Sequence, residues 1–295
     1  MAHKAVDIHR YLVARKSLID RALDRYLQRR TPQTTPLLHQ AMCYSALDAG
    51  KRFRPILTLT VGEMFGANRA LLPFACAIEL IHCYSLIHDD LPPLDNDDFR
   101  RGKLSCHKRF GEAIALLAGD ALLTEAFFVM SDPGVARLLG APLISDLVRE
   151  VSGAAGIRGM ISGQSTELEL GKRKVTTTVL EGLDRLKTGA LITTAARVGA
   201  MIGRASRKDL DRVTRYGQSL GLAFQITDDI LDAHEVSSNN SNHKGITNYL
   251  SVAGPAKARE RVQALLAECL REVEPYGKAA EPLREIARYV AQRTE

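Results

Sequence analysis

The stretch Glu79-Leu80-Ile81-His82-Cys83-Tyr84-Ser85-Leu86-Ile87-His88-Asp89-Asp90-Leu91-Pro92-Pro93-Leu94-Asp95 decides the fold. Its apolar residues, Ile81 to Ile87 among them, run with helical rather than alternating spacing into a cluster of acids, continued by Asn96, Asp97 and Asp98. A second apolar run, Gly221 to Ile226, leads into Asp228-Asp229-Ile230-Leu231-Asp232. An acidic cluster at the end of an apolar helix is not a solvated charge patch, so both clusters call for counter-charge.

Spacing indicates the kind of counter-charge. On a helix turning about 100° per residue, Asp228 and Asp232 stand roughly 40° apart with Asp229 beside them, a row of carboxylates on one face. In the first cluster Pro92-Pro93 must end the helix, because proline has no N–H and clashes with the preceding turn, so the chain can fold Asp95 back toward Asp89. Oxygen ligands with no cysteine or histidine among them suit a hard cation such as Mg²⁺. That ion uses one or two carboxylates and completes its octahedron with water and substrate phosphate.

Basic residues flank the acids. Gly50-Lys51-Arg52-Phe53-Arg54-Pro55 lies upstream, Arg100-Arg101-Gly102 follows the first cluster, and Lys187-Thr188-Gly189 lies between the two. Arginine forks grip phosphate oxygens in bidentate fashion and lysine acts as a point charge. Acids and bases together imply a diphosphate held between metals and cations.

Composition agrees. Apolar residues make up 45% of 295, tryptophan is absent, and stretches such as Ala113 to Met130 and Leu183 to Ile202 have helical periodicity, so an all-α chain is expected. No Pro/Gly/Ser-rich linker divides it, which predicts one helical domain over 1–295. The polar segment Ser237 to His243 reads as a loop over the site. A net charge of +6 suits anionic substrates. No nucleic-acid-binding signature, signal peptide or apolar run of spanning length is expected. Five cysteines without paired spacing read as reduced thiols of a cytoplasmic protein.

The segments Glu79 to Pro92 and Gly221 to Asp232 resemble the two aspartate-rich motifs of the trans-prenyltransferase, or polyprenyl synthetase, family, most closely its bacterial farnesyl diphosphate synthases; the likeness runs from about Met42 to Gly254. It implies an isoprenoid-synthase helical bundle around a central active-site cavity, working as a homodimer. The implied reaction is head-to-tail condensation of isopentenyl diphosphate with dimethylallyl or geranyl diphosphate, giving farnesyl diphosphate. Three Mg²⁺ ions are implied, with Asp89 and Asp95 holding two, Asp228 the third, and Asp90, Asp229 and Asp232 contributing more weakly. The resemblance puts Arg100, Lys187, Thr188 and Gln225 on the allylic diphosphate, and Lys51, Arg54, His82 and Arg101 on that of isopentenyl diphosphate. Asp89, Asp95, Asp228 and Lys187 are the implied catalytic residues, and Tyr84 and Ser85 the floor that limits product length.

The chain departs from the family pattern at Ala49, Asn96, Glu167 and Ile246, and in the loop Ser237 to Lys244, where an allylic-diphosphate contact is lost unless Lys244 supplies it. Other readings fit less well. The Glu79-x-x-His82 step of a di-iron bundle should occur twice. A His-Asp phosphohydrolase, suggested by His88-Asp89, needs more histidines. A terpene cyclase does not need Lys51, Arg54 and Arg101, and a non-catalytic subunit is expected to lack one aspartate motif.

Overall fold

The computed structural model describes residues 6–28, 33–48, 50–67, 70–171, 173, 175–239 and 248–293, with backbone alone for 234–239. Ala49, Lys244 and Ile246 lie outside the described residues. Apart from one short hairpin, the regular structure among them is helical, as expected. They form two compact units, one of His9–Leu59 and Asn68–Val148, the other of Met1–Ile8, Thr60–Ala67 and Arg149–Glu295.

The first unit draws on α1 (Ile8–Leu27), α2 (Pro36–Ala46), the start of α3 (Phe53–Met64), α4 (Leu71–Asp89), strands β1 (Phe99–Arg100) and β2 (Lys103–Leu104), α5 (Cys106–Phe110), α6 (Glu112–Met130), α7 (Pro133–Leu139) and the start of α8 (Ala141–Ala155). Helix α4 is its axis. Leu71, Phe74, Ala75, Ile78, Leu80 and Ile81 are buried around its whole circumference, the pattern of a helix enclosed by others. It packs on α6, and α2 packs on both.

Against the sequence expectation, α4 and α6 are each long and apolar enough to cross a membrane. Helix α4 is two-thirds buried and serves as a core helix, whereas α6 leaves Leu116, Leu117 and Phe128 exposed. Isolated polar residues such as Glu79 and Asp120 interrupt both apolar runs in the sequence.

The second unit is built on α12 (Arg207–Asn239), 33 residues and therefore about 50 Å long. Around it stand α9 (Met160–Leu170), α10 (Thr177–Asp184), α11 (Ala190–Ile202), α13 (Tyr249–Ala253), α14 (Pro255–Val273) and α15 (Glu281–Gln292). Helix α12 packs on α11, α14 and α15, and buries Val213, Tyr216, Leu220, Phe224 and Ile230. Two details differ from the sequence expectation. The run Leu183 to Ile202 is broken by a π-helical turn at Arg185–Gly189, and Ser237 to Asn239, read as loop, are the last turn of α12.

Candidate active site

In the first unit the proline pair acts as expected. Helix α4 ends at Asp89, and Leu91, the residue before Pro92, cannot continue it because the proline ring disfavours helical backbone there. The chain reverses: Leu94 N–H donates to Leu91 O at 2.9 Å, Asn96 N–H to Leu91 O at 3.2 Å, and Asp95 N–H to Asp89 O at 2.9 Å. Asn96 takes the left-handed conformation, φ 52°, which asparagine tolerates better than most residues. Asp89 and Asp95 are thus brought together.

Asp90 and Arg100 are bound to each other. Arg100 donates through Nε, 2.9 Å from Oδ1, and through Nη2. Burial lifts the Asp90 carboxyl above its ordinary value while Arg100 pulls it back. Expected respectively on metal and on substrate, the two already neutralise one another here.

Arg100 belongs to a hairpin pairing Phe99 with Leu104 and Arg100 with Lys103. Its two-residue turn is Arg101-Gly102, with φ 52° and 76°; positive φ at both positions is the primed turn that matches strand twist. Arg101 is exposed at the tip, Lys51 is exposed, and Arg54 is half-buried in the first turn of α3. His82 reports their convergence: burial, then Arg54 and Arg101, push its imidazolium well below the ordinary range. The ring is therefore neutral at pH 7 and can share a hydrogen bond rather than add charge. Seven residues separate His82 from Asp89 on α4, placing them on one face about 10 Å apart.

In the second unit, Lys187 and Thr188 lie on the π-helical turn, a feature that often marks functional sites. Helix α9 approaches this turn so closely that a Cβ added to Gly163 would stand 2.6 Å from Lys187 Cα. Lys187 Nζ is paired with Glu167 of α9. Thr188 Oγ1 donates to Gln225 Oε1 at 2.8 Å, Gln225 Nε2 to Asp229 at 2.9 Å, and Tyr249 N–H to the other Asp229 oxygen at 2.9 Å. Burial holds Asp229 up to about 6 against those hydrogen bonds, with Asp232 and Asp228 adding to the rise. Asp184, before the turn, is pushed up to about 7 by burial, then by Asp229 and Glu167. Around α12, Gln225, Asp228, Asp229 and Asp232 fall within an arc of about 100°. Asp232 is exposed and Asp228 half-buried.

Among the described residues, no three His, Cys, Asp or Glu side chains form a closed metal cage. The clusters offer carboxylates alone, a pair at Asp89 and Asp95 and a row at Asp228 and Asp232. This donor set fits Mg²⁺, which retains water and substrate oxygens, and would not suit a softer metal that prefers imidazole or thiolate.

Three groups had escaped the sequence reading. Arg52 is wholly buried, and its acidic partners Asp20 and Glu79 are remote in sequence. Asp184 carried no signal beyond being an acid beside Lys187. Arg293, in the last described residues, donates to Asp228 Oδ1 at 2.6 Å and lies 4.8 Å from the centre of the Phe224 ring. Tyr84 is buried and meets the His88 ring edge-on at 5.6 Å; Ser85 Oγ donates to His82 O at 2.9 Å.

The sequence profile of the polyprenyl synthetase family matches residues 35–250. Farnesyl diphosphate synthase of Escherichia coli is 38% identical, covering 98% of this chain and all of that one. Its counterpart in Geobacillus stearothermophilus is 41% identical over 87% and 88% of the two chains. The crystal structure of an FPP/GFPP synthase from Zymomonas mobilis superposes with a TM-score of 0.88 at 37% identity, covering 98% of this chain and all of that one. Proteins named as geranylgeranyl diphosphate synthases match over similar lengths, among them one from Cyanophora paradoxa. The chain therefore belongs to the polyprenyl synthetase family and is a trans-prenyltransferase of isoprenoid biosynthesis.

Proposed function

We propose that the chain joins isopentenyl diphosphate head to tail with dimethylallyl or geranyl diphosphate, and that its product is farnesyl diphosphate. One observation carries this reading: His82, on which Arg54 and Arg101 act, and the metal-suited acid pair that begins at Asp89 share one face of α4 about 10 Å apart. That separation suits two diphosphates on either side of one five-carbon unit.

Lys51, Arg54, Arg101 and neutral His82 are proposed to bind isopentenyl diphosphate. Arg100, Lys187, Thr188 and Gln225 take the allylic diphosphate, Arg100 being oriented by Asp90. Mg²⁺ held by Asp89, Asp95 and Asp228, with Asp90 and Asp232 nearby, would neutralise the charge that develops on the leaving diphosphate. Lys187 and Arg100 add preorganised positive charge to the same end of the breaking C–O bond. The double bond of isopentenyl diphosphate attacks the allylic cation, and a proton passes from the new chain to the departed diphosphate. Apolar walls keep water from the cation. Tyr84 and Ser85, on the two turns of α4 before Asp89, are the proposed floor for the fifteen-carbon product.

The family match spans both units, which supports one catalytic domain. Leu116, Leu117 and Phe128 are exposed apolar residues of α6 that a second copy of the chain would cover, which supports a homodimer. All five cysteines are free, in keeping with a reducing cytoplasm. Release of inorganic diphosphate tests the reaction class. Release from geranyl diphosphate should require isopentenyl diphosphate; release from geranyl diphosphate alone would instead indicate a cyclase or hydrolase.

A further inference from the structure

Lys51, Arg52 and Arg54 are near neighbours of one chemical type with different fates. Lys51 is exposed and Arg54 half-buried, whereas the Arg52 side chain has no exposed surface. A guanidinium taken wholly out of water is strongly unfavourable unless its donors are paired. Here Nε donates to Asp20 Oδ1 at 2.7 Å, Nη1 to Glu79 Oε1 at 2.9 Å, and Nη2 to the carbonyls of Ala46 at 2.9 Å and Asp48 at 2.8 Å. These four bonds reach α1, α4, the end of α2 and the turn that follows it. Apolar replacement of such a buried ionic group is often neutral or stabilising, so stability alone does not account for Arg52. Geometry does.

The residues around Arg52 show what that geometry sets. Its own φ is 52°, a conformation that non-glycine residues adopt only where surrounding contacts dictate it. The kink leaves Lys51 outside and starts α3, where Ile56 N–H donates to Arg52 O at 3.0 Å and Arg54 occupies the first turn. Asp48, whose carbonyl Arg52 holds, takes Lys103 of the hairpin on its carboxylate at 2.6 Å. A Cβ added to Gly50 would stand 2.8 Å from Arg101 Nη1, so the Arg101 guanidinium rests against the Gly50 backbone. Lys51, Arg54 and Arg101 are thus all fixed to a turn centred on Arg52.

We propose that Arg52 is the positioning residue of the isopentenyl diphosphate subsite: it binds no substrate, but its buried fork sets the spacing of Lys51, Arg54 and Arg101. This rests on the assignment of those three cations to isopentenyl diphosphate.

The test titrates isopentenyl diphosphate calorimetrically into the full-length protein without metal or allylic substrate, and measures KM for each substrate. Arg52→Lys keeps the charge and removes the fork. It should weaken isopentenyl diphosphate binding ~10- to ~100-fold, the scale expected of an ångström-sized misplacement. KM for geranyl diphosphate should stay within about 2-fold, because only one subsite loses binding. Gly50→Ala would set its methyl 2.8 Å from Arg101 Nη1 and 3.2 Å from Arg52 Nη1, so it presses on the same turn and should weaken isopentenyl diphosphate binding while KM for geranyl diphosphate again stays within about 2-fold. If Arg52→Lys fails to fold, Asp20→Asn, at the half-exposed end of the network, decides by the same titration. A folded variant with unchanged isopentenyl diphosphate affinity, or with both substrates weakened in parallel, overturns the proposal. Failure of the parent to bind isopentenyl diphosphate is a separate result, and would remove the subsite assignment itself.

Discussion

The backbone N–H of Asp95 donates to the carbonyl of Asp89 at 2.9 Å, so two carboxylates separated by a proline pair leave the chain at one place. The prolines end α4 on an acid, and the reversal they enforce brings the second acid back. Charge repulsion opposes that arrangement, which is stabilised when a cation lies between the two groups.

Asp89→Asn and Asp95→Asn keep this turn and remove the charge. Each should lower kcat by at least ~100- to ~1000-fold, the range found when one stabilising group is removed from a developing anion. Tm should barely change. Near-parental turnover of either variant in a Mg²⁺-dependent assay would show that the pair does not hold the metal.

Much of this was legible in the sequence because the signals were local. Two prolines after Asp90 fix a helix end, and a spacing of four fixes a helix face. The helical class and both acid clusters followed from such rules. The π-helical turn at Arg185–Gly189 was not legible, because it depends on α9 closing on Lys187 at Gly163. Nor were Arg52 with Asp20 and Glu79, or Arg293 with Asp228: each pairing joins residues distant in sequence. The loop reading of Ser237 to Asn239 failed because polar residues in the last turn of a long helix look like a loop to any local rule.

Gly163→Ala sets two effects against each other. Alanine favours a helix interior over glycine by about 1 kcal/mol, while overpacking costs about 1–3 kcal/mol. With Lys187 backbone 2.6 Å from the new methyl, overpacking should win: Tm falls, and KM for the allylic diphosphate rises while that for isopentenyl diphosphate does not. A higher Tm in a thermal melt would show that α9 yields without cost.

Asp184 gives a pH dependence of known sign. Its carboxyl is held up to about 7, against about 3.9 in the unfolded chain. Between those values the native state keeps a proton the unfolded state has lost, so stability falls as pH rises through the window. Asp229, up at about 6, acts in the same direction and remains in the variant. Asp184→Asn should therefore gain on the order of 2 kcal/mol over the parent at pH 8 and little at pH 4. Metal-free melts across that range check it; a pH-independent difference would contradict it.

Tyr84→Ala removes a buried ring. If Tyr84 closes the floor, the variant should make chains at least one isoprene unit longer than the parent, read by chromatography of the dephosphorylated alcohols. An unchanged product would place the floor elsewhere.

The most direct measurement is the product itself: purified protein with Mg²⁺, labelled isopentenyl diphosphate and geranyl diphosphate, alongside an EDTA control. The account predicts labelled farnesol after dephosphorylation, abolished by EDTA. Condensation that persists without metal, or no condensation at all, would contradict it.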